Sequence, residues 1–200
     1  MVVERLISVW LLVVYAWCFE GMSGYPVGSS EDREMLKKMV TERLLDYFFL
    51  QIRNLWRVDG LYFLGIEKKS GTEAATEIDA GVWETMAGIE AKSLQKMFAV
   101  GEIPDVPTIM DLLRKSSWAL DQSIKTIEIG GNRAVLKIDR CRTQETRLGK
   151  GLAEFPCKKV RFGYLKNFAK TLNPNVKVNC LVCPPDMHPE DSWCKWEFVL

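Results

Sequence analysis

Four cysteines in the last quarter of the chain have the residue type and spacing of a metal site. They are Cys157, Cys180, Cys183 and Cys194, in the pattern C-x22-C-x2-C-x10-C. Thiolate sulfur is a preferred ligand of Zn²⁺, and four thiolates complete a tetrahedral structural site that has no open position. The sequence therefore predicts a four-sulfur zinc site whose role is structural.

Predicted secondary structure brings these cysteines together. Pro156 opens a helix at Cys157, and the positive end of a helix dipole favours a thiolate. Alternation along 176–182 and 193–199 predicts two strands of a hairpin, with Cys180 and Cys194 facing each other from the same side. Cys183 lies where the first of these strands enters a Pro-Pro turn.

Other interpretations of the cysteines stay open. An iron–sulfur cluster uses the same ligands, and disulfides would be expected if the chain were exported. His188, the only histidine, is interpreted as a solvated loop residue or as a substitute ligand. Cys141 is interpreted as a core residue or as a fifth thiol near the site.

A second group of residues indicates a ligand pocket. Asp79, Trp83 and Glu90 share one face of a predicted helix, and Asp59 precedes a shorter one. Paired carboxylates can perform acid–base chemistry; the alternative is a half-exposed helix face with Trp83 in the core.

Arg147 completes the candidate pocket. Its guanidinium could bind the carboxylate of a ligand in a bidentate manner. It could equally pair with Glu145 or Glu154, which are close to it in sequence.

Hydrophobic periodicity supplies the elements that position these residues. Helix-like spacing comes first, and strand-like alternation begins near residue 123, with Gly130-Gly131-Asn132 as a hairpin turn. The predicted helices are 30–54, 61–69, 72–98, 108–120 and 156–172, and the predicted strands are 123–129, 133–140, 176–182 and 193–199. This order predicts an α+β fold in which N-terminal helices pack on a four-stranded antiparallel sheet, with a helix between two hairpins.

Composition narrows the classes of function. The net charge of +1 gives no electrostatic reason to expect binding to nucleic acid or to an anionic membrane. The chain carries no nucleophile elbow, phosphate-binding loop or dinucleotide fingerprint.

The N-terminal segment differs in character from the rest. Residues 1–29 are predicted to be an apolar extension and linker, which is interpreted as signal-like or as an over-long start with Met22 as the true first residue. A single domain is predicted over 30–200, with a helical part (30–120) and a metal-binding β part (121–200). The apolar run 6–19 is shorter than the roughly 20 residues that span a bilayer, so no stable membrane span is expected. Because clustered thiols suit a reducing compartment, a cytoplasmic location is predicted, with export or anchoring through residues 1–21 as the alternative.

Two sets of motifs resemble known families. The segment 56–63 with Asp79, Trp83 and Glu90, together with 141–147, 154–157 and 183–198, resembles an uncharacterised prokaryotic family of cytosolic proteins. That family is distantly similar to L-2-amino-thiazoline-4-carboxylic acid hydrolase-like proteins, and the resemblance covers about 34–200. It implies, as one possibility, hydrolysis of an amide or amidine C–N bond.

The last third of the chain also resembles the 4-vinyl reductase domain. In phenol-sensing activators, that domain holds zinc through a cysteine at a helix start and a Glu-x-x-Cys…Cys cluster on the last hairpin. Here Cys157, Cys183 and Cys194 match these cysteines, and Cys180 stands where the glutamate would be. The resemblance implies a small-molecule pocket beside the zinc, and formation of a homodimer.

These observations lead to one expectation and two alternatives. The first is a zinc-stabilised small-molecule-binding domain with a sensor, carrier or accessory role. The alternatives are a small-molecule hydrolase and a thiol or iron–sulfur redox sensor.

Overall fold

A computed structural model describes residues 27–200, which fall into two compact units divided after Tyr47. Residues 1–26 of the predicted extension and linker (1–29) lie outside the described residues. In the first unit, helix α1 (Ser30–Lys37) begins with a capping box between Ser29 and Asp32. The sequence predicted one helix over 30–54, but the Met39 N–H bonds the Leu36 carbonyl, a tighter step that ends α1.

Helix α2 (Thr41–Met97) supplies most of the helical part, and its backbone leaves helical geometry at Gly71, with φ 88° and ψ 164°. Glycine accepts this positive φ without a Cβ clash. The prediction of a break at Gly71 is confirmed. A second break predicted near Gly60 is wrong, because the Asp59 side chain bonds Trp83 and does not cap a new helix.

Two short helices follow α2. They are α3 (Val106–Leu113), capped by Asp105, and α4 (Ser117–Asp121), capped by Ser116. The sequence predicted a single helix over 108–120. The Ser116 hydroxyl accepts the Ala119 N–H and so starts a new helix within that range.

A four-stranded antiparallel sheet forms the second half of the fold. Its strands β1 (Ile124–Gly130), β2 (Arg133–Arg140), β3 (Lys177–Val182) and β4 (Cys194–Val199) lie in the order β1-β2-β4-β3. Helices α5 (Arg142–Gly149) and α6 (Cys157–Leu172) connect β2 to β3. The expected α+β class, with helices and a four-stranded antiparallel sheet, is confirmed, whereas α5 was not predicted.

The sheet and α6 share the main core. Trp196 and Phe198 alternate on the buried face of β4, and Tyr164 and Phe168 line the buried face of α6. Burial of these large apolar side chains provides the main driving force for folding. Within residues 27–200, no helix is long and apolar enough to cross a membrane.

Candidate functional site

Three of the four predicted metal ligands meet beside the start of α6. The buried Cys183 thiol is hydrogen-bonded to the thiols of Cys157 and Cys194. These contacts and burial raise the pKa of Cys183 far above its ordinary value. The hydrogen bond from Cys183, assisted by the charge of Arg161, lowers the pKa of Cys157 to about 7.

Cys180 is farther from this group along β3. It pairs with Trp196, and the register shifts between Cys180 and Val182. Cys194 pairs with Ile138 of β2, so the expected placement of Cys180 opposite Cys194 is wrong by two residues, although alternation leaves both on one face of the sheet. Burial raises the pKa of Cys180 to about 11.

The structure also places the two residues that the sequence left ambiguous. Cys141 lies at the start of α5, where burial raises the pKa of its thiol to about 12. The His188 ring is half-buried against Trp193, with a centroid distance of 4.7 Å, and its Nε2 lies 3.5 Å from Glu154. His188 therefore contacts both its own loop and the segment that precedes α6.

The arrangement of donor atoms bears directly on the metal prediction. Within residues 27–200, no group of three or more His, Cys, Asp or Glu side chains has the geometry to hold a metal ion. The thiols of Cys157, Cys183 and Cys194 are neighbours through shared hydrogen bonds, which is a looser relationship than metal coordination. The zinc site thus stays a prediction from residue type and spacing.

A separate cavity of about 350 Å³ lies between the two segments of α2, helix α5 and the first turns of α6. Four of the five residues proposed for a pocket line it: Asp59, Asp79, Trp83 and Arg147. Its volume is within the range typical of small-molecule sites.

Two carboxyl groups and two indoles form one wall of the cavity. Trp83 Nε1 donates to Asp59 Oδ1 at 2.9 Å, and the rings of Trp56 and Trp83 stack at 4.4 Å. Asp59 and Asp79 are hydrogen-bonded to each other. Burial raises the pKa of both carboxyl groups, and together with the neighbouring charge of Asp59 it raises the pKa of Asp79 to about 7, so below that pH Asp79 is the group that keeps a proton.

Arg161, which was not among the residues predicted from the sequence, also lines the cavity. It is 5% exposed, and four aromatic rings surround its guanidinium carbon, at 4.5 Å from Trp118, 5.0 Å from Tyr164, 5.6 Å from Trp56 and 6.0 Å from Trp83. Its side chain is hydrogen-bonded to Cys157, whereas its Nε and Nη1 have no hydrogen-bond partner among the described residues. Buried polar groups are normally satisfied, so these two donors require an explanation.

A signal in the sequence could have identified Arg161. It precedes Tyr164, Leu165 and Phe168 by three, four and seven residues, the spacing of one helix face. An arginine within the apolar face of an amphipathic helix is seldom buried without a partner.

Arg147 already has protein partners. Its Nη1 and Nη2 donate to the two carboxylate oxygens of Glu67 at 2.9 Å each, and its Nε donates to the Ala153 carbonyl. The suggested partners pair elsewhere, Glu145 with Arg140 and Glu154 with His188. Arg147 therefore joins α2 to α5.

Glu90, the fifth proposed pocket residue, does not line the cavity. Its carboxylate accepts the Ser117 backbone N–H at 2.6 Å and the Tyr164 hydroxyl at 2.7 Å. These contacts connect α2 to the start of α4 and to α6. The structure thus places Glu90 among groups that hold the helices together.

Comparison with known proteins identifies the family of the chain. Residues 37–200 match the model of a family of unknown function, DUF6125. Because the match covers most of the sequence, the chain belongs to that family. No curated protein matches it.

Proposed function

We propose that this member of the DUF6125 family is a small-molecule-binding domain. Zinc bound by Cys157, Cys180, Cys183 and Cys194 would stabilise the part of the domain where β3 and β4 meet the start of α6. The observation that carries the binding role is the cavity of about 350 Å³, with a buried arginine and a carboxyl pair among aromatic side chains. A largely apolar pocket with a few convergent polar groups is typical of ligand sites.

The zinc part of the proposal is supported by donor chemistry. Three of its thiols are in contact through Cys183, and Cys180 is an electrostatic neighbour of Cys157 and Cys194. Four thiolates would bind zinc in a closed tetrahedral site and would join β3 and β4 to the start of α6. Such a site contributes to folding.

Elemental analysis, with sulfur as internal standard, tests the zinc site. We expect one zinc per chain in the full-length protein, lost in Cys183→Ser and retained in the matched control Cys141→Ser. Absence of metal from a protein with free thiols would overturn the zinc proposal. Iron with visible absorbance would instead favour the cluster alternative.

Binding is tested separately, by titrating the full-length protein with a library of small organic acids, amides and amines. The expected result is saturable binding that perturbs the indole N–H resonance of Trp83, because that group donates to Asp59 on the cavity wall. Binding confined to resonances outside the cavity would contradict the proposal.

The shared proton of Asp59 and Asp79 favours a second candidate, a hydrolase that acts on a small amide or amidine C–N bond. A carboxyl group whose pKa is raised to about 7 is suited to general acid–base catalysis. Release of ammonia from a panel of small amides and amidines tests this activity. Turnover should be lost in Asp79→Asn. It should be kept in the control Glu73→Gln, which alters an exposed carboxylate of the same helix. Equal turnover in the two variants would contradict the hydrolase proposal.

A further inference from the structure

The donors of Arg161 define what the cavity can bind. Aromatic rings near a guanidinium interact with its positive charge. The rings do not supply acceptors for the N–H groups that lie in the plane of the guanidinium. Two of these groups in Arg161, Nε and Nη1, are buried and have no partner among residues 27–200. A ligand that satisfies this side chain must therefore present acceptor oxygens in the guanidinium plane.

The charges that line the cavity favour an anion. Five cationic side chains face two carboxyl groups, one of which holds a proton. The lining cations are Arg57, Arg142, Arg147, Lys150 and Arg161. Arg147 pairs with Glu67, and Arg142 shares Asp121 with Arg53. The charge of Arg161 is partly balanced by Asp59 and Cys157, so the positive groups left for an anion are Arg57, Lys150 and the unpartnered donors of Arg161.

The stacked indoles indicate the shape and polarity of the rest of the ligand. Trp56 and Trp83 lie 9° from parallel and both line the cavity, with 5% and 4% of their surface exposed. Flat apolar groups stack well on such surfaces. A single ionised carboxylate also suits the site better than a phosphate dianion, because Asp59 lies nearby and repels each added negative charge.

We infer that the cavity binds a small planar aromatic carboxylate, whose carboxylate oxygens accept from Arg161 and whose ring lies against Trp56 and Trp83. This inference rests on the proposed small-molecule-binding function and assigns its ligand class. It also moves the carboxylate-binding role from Arg147, which is paired, to Arg161. Arg161 would fix the orientation of the ligand, and the indoles would supply apolar contact.

The test compares three probes of one shape and different charge. These probes are 2-naphthoate, 2-naphthamide and 2-naphthamidine, titrated into the full-length protein by calorimetry and followed at the Trp83 indole resonance. We expect the carboxylate to bind at least about tenfold more tightly than the amide, since hydrogen bonds to charged groups are the stronger ones. The amidine should bind most weakly.

Variants of the protein then test whether Arg161 is the side chain that causes the preference for the carboxylate probe over the amide probe. Arg161→Lys keeps the charge but loses the planar fork, so we expect the preference for carboxylate over amide to fall by about tenfold. Arg133→Gln, which alters an exposed arginine of β2, is the matched control and should leave it unchanged. If Arg161→Lys does not fold, the affinities of the wild-type protein for the three probes still test the proposal.

Each outcome has one meaning. Equal binding of the three probes, tighter binding of the amidine, or a preference that survives in folded Arg161→Lys would overturn the carboxylate assignment and leave small-molecule binding intact. Tighter binding of 2-naphthyl phosphate than of 2-naphthoate would also overturn it. If no probe and no member of the library perturbs the Trp83 resonance, both the assignment and the proposed function fail.

Discussion

Trp83 donates its indole N–H to Asp59 across the two segments of α2, with 2.9 Å between Nε1 and Oδ1. The two residues are 24 positions apart in sequence, and Gly71 lies between them. Through this bond, the pairing of the α2 segments also positions the carboxyl pair that Asp59 forms with Asp79. The helical part therefore supports the cavity as well as the fold.

The proton on Asp79 gives a prediction for stability against pH. Because its pKa is raised to about 7, the folded protein binds more protons than the unfolded chain between about pH 4 and pH 7, so this group lowers stability as the pH rises through that window. Asp79→Asn resembles the protonated acid. Its free energy of unfolding in urea should match that of the wild type near pH 4 and exceed it at pH 8, by on the order of 1–4 kcal/mol.

Glu73→Gln is the control for this series, because it changes an exposed carboxylate on the same segment of α2. Its stability relative to the wild type should not vary with pH in this way. A constant difference between Asp79→Asn and the wild type from pH 4 to pH 8 would show that Asp79 is ionised throughout.

The pair formed by Arg147 and Glu67 should contribute measurably to stability. The two side chains are only 9% and 16% exposed and share two hydrogen bonds. A double-mutant cycle with Arg147→Ala and Glu67→Ala should give a coupling energy of about 1–3 kcal/mol in urea unfolding. The exposed pair of Arg140 and Glu145, which also shares two hydrogen bonds, is the matched control, with an expected coupling below about 1 kcal/mol. Equal values for both pairs would count against this role.

Glu90 is expected to be a structural residue. Glu90→Gln should lower the free energy of unfolding by about 1–3 kcal/mol, because charged hydrogen bonds to the Ser117 N–H and the Tyr164 hydroxyl are weakened. Binding of 2-naphthoate should be unaffected when measured on the folded protein. A variant with native stability but lost binding would place Glu90 in the ligand site instead.

Removal of the proposed zinc should destabilise the chain. A bound ion that prefers the folded state raises stability by mass action, so a chelator should lower the melting temperature of the wild type and of Cys141→Ser. Cys183→Ser should already melt at the lower temperature and should not respond further. A chelator response in Cys183→Ser equal to that of the wild type would argue against ligation by Cys183.

Local patterns were sufficient for most elements. The helix over 156–172, the strands of both hairpins and the break at Gly71 follow from periodicity and from glycine, which act over a few residues. Errors occurred where a side-chain hydrogen bond, distant or local in sequence, set where a helix continues or begins. Gly60 stays within α2 while Asp59 bonds Trp83, and Ser116 divides a predicted helix by capping α4.

The residues of the candidate site also fall into those that the sequence predicted and those that only the tertiary structure identified. Residue type and spacing selected the cysteines as candidate ligands, and residue type and position selected Asp59, Asp79, Trp83 and Arg147, all of which line one cavity. Only the tertiary structure decided that Arg147 is neutralised by Glu67, 80 residues away, and that Glu90 bonds Tyr164. Only the tertiary structure revealed that two buried donors of Arg161, Nε and Nη1, have no hydrogen-bond partner among residues 27–200, because hydrogen-bond satisfaction depends on atoms that folding brings together from distant parts of the chain.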